Sequence, residues 1–147
     1  MAHYDYKMGL GNVGSYQVAG APFVSGTIVA GPGPVLAQVV SFPNVTSWVM
    51  VINHDARNCR VGFSQNGVDR KGPSPQGNYV VLAAAVDNVS TQLGPLDLKV
   101  TEIWLSGSAN VDVIAGLTSI EATQINNFSV SPEKARNWSG SVGAQVG

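Results

Sequence analysis

Between residues 46 and 118 the chain alternates short apolar runs with Gly, Pro, Asn and Asp breaks: TSWVMVINH, RVGFS, NYVVLAAAV, LDLKVTEIWLSG and ANVDVIAGLT. Each run is rich in β-branched and aromatic residues, the pattern of short antiparallel strands joined by turns. The most apolar strand spans 46–54. Trp48, Met50 and Ile52 share one face and Val49 and Val51 the other. Apolar side chains on both faces predict a central strand, or one whose outer face is covered by another subunit. In 111–118, Val111, Val113, Ala115 and Leu117 point inward and Asp112 outward.

The remaining segments fill out the same pattern. Residues 23–30 predict a first strand kinked at Gly26, and the GPGP of 31–34 stops it. Residues 35–42 predict a second strand and 59–64 a fourth, on which Val61 and Phe63 share a face. The run 79–86 reads as strand throughout. Another strand, 89–93, should end at Gly94-Pro95. Residues 98–106 form one long strand in which Leu98, Val100, Glu102 and Trp104 oppose Lys99, Thr101, Ile103 and Leu105, and 107–110 is a hairpin turn. Residues 65–78, with three glycines and two prolines, predict a long surface loop without helix. About eight evenly spaced strands predict an all-β fold: a single antiparallel two-sheet sandwich over residues 21–120. A jelly roll is favoured over an immunoglobulin-like sandwich, which would carry a cysteine pair.

Two arms flank this domain. Residues 1–20 set Tyr4, Tyr6 and Tyr16 among four glycines; residues 121–147 carry Phe128 and Trp138 among Asn, Ser and Gly. Tyrosines and tryptophans offer large amphipathic contact areas, so these five are the candidate protein-interface residues. The alternatives are a tail without fixed packing for the first arm and a clamp on its own domain for Trp138. Ser131-Pro132-Glu133 would suit the start of one helical turn.

Composition narrows the function. Charged residues make up 12% of the 147, about half the usual share, and the net charge is −1. A surface so poor in charge suits a protein that buries much of itself against copies or partners, although a neutral β-domain would have the same totals. Lys and Arg are not in excess, which argues against a nucleic-acid partner. The longest apolar runs fall far short of the ~20 residues of a membrane helix. The first residues contain no apolar signal-peptide core, so the expected site of synthesis and folding is a cytosol.

Candidate chemistry is sparse. Cys59 is the single cysteine, either a small core residue or a reactive thiol. His3 and His54 are the only histidines, too few for a cupin-type metal site. His54-Asp55, with Ser64 on a neighbouring segment, could be imagined as a catalytic pair, but it reads better as a solvated turn. GLGNVG (9–14) matches a dinucleotide fingerprint by letters only, since neither strand nor helix flanks it. Arg57, Arg60, Arg70 and Lys71 gather half of the eight basic residues, with Asp55 and Asp69 interleaved. Four N-x-[ST] triplets, at Asn44, Asn88, Asn127 and Asn137, fit an Asn- and Ser-rich composition. No catalytic, cofactor-binding or metal-ligating set emerges, and the chain is not expected to be an enzyme.

The opening GLGNVGSYQVAGAPFVSGT resembles small jelly-roll virion proteins. So do VSFPNVTSWVMVIN, VGFSQNGV, LDLKVTEIWLSG and VDVIAGLTSI, with NWSGSVG as a further echo. These are the minor capsid, cement (decoration) or vertex proteins of icosahedral double-stranded DNA viruses, including marine tailed phages. The resemblance implies a virion structural protein that assembles in a host cytoplasm as a trimer or pentamer. Its partners would be a major capsid protein or neighbouring capsomers, reached by extended arms, with no cofactor, nucleic acid or membrane. It carries no site residue over, because that group has no shared active site. A second reading is an oligomeric lectin-like or receptor-binding jelly roll, such as a head fibre or tail knob.

Overall fold

A computed structural model describes residues 20–31, 37–69 and 79–124. Among them are eight strands: β1 (Ala21–Ala30), β2 (Gln38–Ser41), β3 (Asn44–Asn53), β4 (Cys59–Gly62), β5 (Tyr79–Leu82), β6 (Thr91–Leu96), β7 (Glu102–Ser106) and β8 (Ser108–Glu121). They form two antiparallel four-stranded sheets, ordered β1-β8-β3-β6 and β2-β7-β4-β5. Except at β4–β5, each strand hands over to a strand of the opposite sheet, which is the doubly wound Greek key of a jelly roll. The candidate interface residues of both arms, Tyr4, Tyr6, Tyr16, Phe128 and Trp138, and the turn at Ser131 lie outside the described residues, as do Arg70 and Lys71.

Alternation places the core between the sheets. Val49, Val51, Val111, Val113, Ala115 and Leu117 from one sheet meet Val40, Cys59, Val61, Leu82, Ile103 and Leu105 from the other, all buried. Phe42 closes one end, edge-to-face on Phe23 at 4.9 Å. β3 is central in its sheet, bonded to β8 and β6; Val49 and Val51 face the core, while Trp48, Met50 and Ile52 lie on the outer face. Cys59 is a core residue, and burial pushes its thiol up to about 11. Reaction of Cys59 with a thiol reagent should therefore be undetectable in native protein at pH 8 and immediate in denaturant. Because the unfolded thiol ionises near 9.0 and the folded one near 11, stability falls as pH rises through that window. Replacement by alanine should remove this part of the alkaline slope.

Several boundaries differ from the sequence pattern, each for a local reason. The helix-free loop at 65–78 begins with one helical turn, α1 (Gln65–Asp69). Ser64 Oγ accepts the Gly67 N–H at 3.0 Å as its cap, and Val68 is fully buried beneath it. The run 79–86 keeps strand only to Leu82. Beyond it the ladder is replaced by side chains: Ala83 O accepts from Asn53 Nδ2, and Asn58 Oδ1 accepts the Ala84 N–H. Val86 and Val89 then bridge across Asp87 and Asn88, both at positive φ as a two-residue hairpin requires.

β6 continues through Gly94-Pro95 rather than ending there. Gly94 adopts a φ of 98°, and β3 shifts register between Val49 and Val51 to match. The long strand predicted at 98–106 is only β7. Residues 97–101 instead cross between sheets, held by Thr46, whose Oγ1 donates to Leu98 O at 2.6 Å and accepts the Val100 N–H at 3.1 Å. Nor is 107–110 a hairpin, since β7 and β8 lie in different sheets and Gly107 (φ 97°) makes the switch. β8 reaches Glu121, one residue past the expected domain edge, with Ile120 fully buried.

Candidate functional site

The two sheets differ on their outer faces. The β2-β7-β4-β5 sheet is partly covered by α1, which packs on β4 and β7. No described element is layered over β1-β8-β3-β6. Residues opposite one another in an antiparallel ladder share a face, so the register maps this surface row by row. Pro22, Gly116 and Trp48 form one row; Val24, Ile114 and Met50 the next; Asp112, Ile52 and Gln92 the third. Trp48, Met50, Ile52 and Ile114 are half-buried by their neighbours, while Val24 on the edge strand is 69% exposed. The first two rows carry no charge. The result is a continuous apolar band across three strands, the surface signature of a contact with another protein segment.

A polar chain bounds this band. The Thr27 N–H of β1 donates to Asp112 Oδ1 of β8 at 2.8 Å; Asp112 Oδ2 lies 2.8 Å from His54 Nε2, and His54 Nδ1 lies 2.7 Å from Ser90 Oγ. His54 follows β3 and Ser90 precedes β6, so one run of hydrogen bonds crosses the whole sheet. A carboxylate only accepts, so Nε2 carries the proton toward Asp112, and in the neutral ring Nδ1 accepts from the Ser90 hydroxyl. Thr27, at φ 54°, is a β-branched residue in the left-handed region, where β1 shifts register between Ser25 and Ile28. Asp112 holds that irregularity in place.

His54 therefore pairs with Asp112 and not with its sequence neighbour. Asp55 Oδ2 instead accepts the Ala109 N–H at 2.6 Å, and Ser64 is spent on capping α1. The order hydroxyl, imidazole, carboxylate is that of an acyl-transfer triad. Such a triad also works in a water-excluding cleft with oxyanion donors, whereas the His54 and Asp112 side chains are 34% and 31% exposed on an open sheet. The geometry supplies a brace. A double-mutant cycle of His54→Ala and Asp112→Ala in denaturant melts should give a coupling of about 0.5–1 kcal/mol, as for other exposed pairs. Asp112→Ala alone should cost about 1–2 kcal/mol, because the strained Thr27 also loses its acceptor.

A second feature lies on the other sheet. Asn58, Arg60, Tyr79, Val81, Ser106 and Gly107 line an open depression of about 400 Å³. The Arg60 guanidinium sits 5.1 Å from the Tyr79 ring centroid, a cation–π contact, and donates to Val68 O at 3.3 Å. Of the basic group noted in the sequence, Arg60 is thus engaged within the fold and Arg57 is exposed. Val80 and Val81 of the β5 edge, on opposite faces of the strand, and Val86 and Val89 of the following turn are also exposed. Among the described residues no three His, Cys, Asp or Glu side chains converge as metal ligands, and no helix is long and apolar enough to cross a membrane.

Comparison with protein families, with curated proteins and with solved structures found no match.

Proposed function

We propose that this chain is a structural protein of an icosahedral virus shell, acting as a cement or minor capsid subunit assembled in the host cytoplasm. The observation that carries the reading is the uncharged apolar band Val24–Ile114–Met50 and Pro22–Gly116–Trp48 on the outer face of one sheet. A sandwich with a complete core of its own gains nothing from an apolar outer face unless a neighbour covers it. The jelly-roll winding and the low charge support the same reading. The candidate contacts in the arms, Tyr4, Tyr6, Tyr16, Phe128 and Trp138, would add apolar burial of about 25 cal/mol per Å² in each of many copies.

The deciding experiment is light scattering behind a sizing column. A closed trimer or pentamer is the expected result, and a monomer at all concentrations up to the solubility limit would sink the assembly reading. Truncation after Gln124, which spares the buried Ile120, should leave the sandwich folded and weaken attachment to a shell.

The second reading, an oligomeric lectin-like module, is favoured by the depression beside Tyr79. It offers an aromatic ring, a guanidinium, an amide and a hydroxyl within one open site. A glycan array probed with the multivalent protein separates the two readings: binding abolished by Tyr79→Ala would favour the module.

A further inference from the structure

We propose that residues 2–10 of this chain add a fifth strand to the free edge of β1, on the same sheet as the apolar band. β1 is an edge strand: among the described residues it is bonded only to β8. An edge of ten residues presents a row of backbone donors and acceptors that a further strand can use. The apolar row Met50–Ile114–Val24 runs to this edge and stops there, with Val24 the most exposed large apolar side chain of the described residues. Val29, further along the same strand, is also exposed. Among the described residues nothing continues the row beyond Val24.

The sequence ahead of β1 has the matching pattern. Ala2, Tyr4, Tyr6, Met8 and Leu10 alternate without a fault with His3, Asp5, Lys7 and Gly9. This is period two with one apolar and one polar side, the writing of a strand with a single apolar face. Paired beside β1, its apolar side continues the outer band, so Val24 is followed by a tyrosine or methionine.

The chain is already placed for this. The Gly20 N–H donates to Leu117 O, so the described chain starts at the edge, in the ladder. Residues 11–19 lie between the two segments. They span up to roughly 30 Å when extended, against a strand spacing of about 4.8 Å, and Gly11 and Gly14 permit the reversal. The other edge of this sheet, β6, lies three strand spacings away. The segment and β1 are consecutive, and consecutive antiparallel strands usually pair. The mode is strand addition, in which main-chain bonds hold the segment and alternate side chains select its register. This assignment stands independently of the shell reading. If both hold, Tyr4 and Tyr6 join Trp48, Met50 and Ile114 in the face that neighbours meet.

The test places single cysteines at Tyr4, Tyr6 or Met8 against Val24→Cys, in full-length Cys59→Ala protein. Oxidised samples are sized under denaturing, non-reducing conditions. One of the three pairs should cross-link at monomer mass, while His3→Cys, Asp5→Cys and Lys7→Cys, on the opposite face, should not. Hydrogen exchange provides the independent measurement. Deleting residues 1–12 should speed exchange of the β1 amides at 21–25 at least tenfold and leave those of β3 and β8 unchanged, which also verifies folding. A cross-link found only between differently tagged copies would overturn the assignment to the same chain and give the edge to a second copy. No cross-link, with exchange at 21–25 unchanged by the deletion, would overturn strand addition altogether.

Discussion

Ile114→Lys should dissolve the proposed assembly and leave the subunit folded. Ile114 sits on the outer face of β8, flanked in register by Val24 and Met50. Its side chain is half-buried and takes no part in the inter-sheet core formed by Val113 and Ala115 on either side of it. A lysine there reaches water in the free subunit, and surface changes of this kind typically cost within about 0.5 kcal/mol of stability. In an interface the same ammonium is buried without a partner, and an uncompensated charge costs several kcal/mol. At about 1.4 kcal/mol per tenfold, a loss of at least a hundredfold in association is expected. Light scattering over a dilution series would show it, with the denaturant midpoint nearly unchanged. Lys99→Glu, on an exposed residue of the crossing segment, serves as the charge control and should leave association intact. Equal loss in both variants would mean that overall charge is what matters, and that the apolar band is no interface.

Asn53→Leu should be the most damaging single change to the fold. Asn53 is fully buried where β3 ends. Its Nδ2 donates to Arg57 O at 2.8 Å and to Ala83 O at 3.0 Å; its Oδ1 accepts from Asp55 N at 3.1 Å and from Ser108 Oγ at 2.8 Å. One amide thus uses both donors and both acceptor sites in four bonds to three segments: the β3–β4 turn at two points, the link after β5, and the start of β8. Leucine has nearly the same size and leaves those four groups without this partner. Each buried group left unsatisfied costs about 1–3 kcal/mol. Partial relaxation to water at the turn leaves a net loss of roughly 4 kcal/mol, which lowers the melting temperature by about 10–20 °C at this size. Asn53→Asp should fall between wild type and leucine, since it keeps the acceptors and loses the donors. A leucine variant melting within 2–3 °C of wild type would show that water already serves these groups.

The sequence by itself determined the class of fold and most of its inward face. Strict alternation in 49–51 and 111–117 assigned the buried residues correctly because a strand has only two faces, and one must be apolar. The outer band was half legible in the same way: Trp48, Met50 and Ile52 stood out as a second apolar face on one strand. That Ile114 and Val24 extend this face depends on which strands are neighbours. Neighbour order is a long-range choice, with β1, β8 and β3 drawn from both ends of the chain.

Parity put Asp112 on an outer position, while His54 read as part of a solvated turn. Their pairing, across fifty-eight residues, required β3 beside β8 in one particular register, which nothing local to either residue announces. Where strands began and ended was least legible. At Ala83, Leu98 and Val100 the backbone leaves the ladder because Asn53 and Thr46 offer it side-chain bonds, and no local propensity announces a partner tens of residues away. Conversely, Gly94-Pro95 reads as a break in isolation. β6 survives it because the β3 ladder next to it shifts register to accommodate the glycine. Alternation is a property of each strand alone and can be read locally. Neighbours, register and strand ends follow from bonds between distant segments, and only the folded chain brings those together.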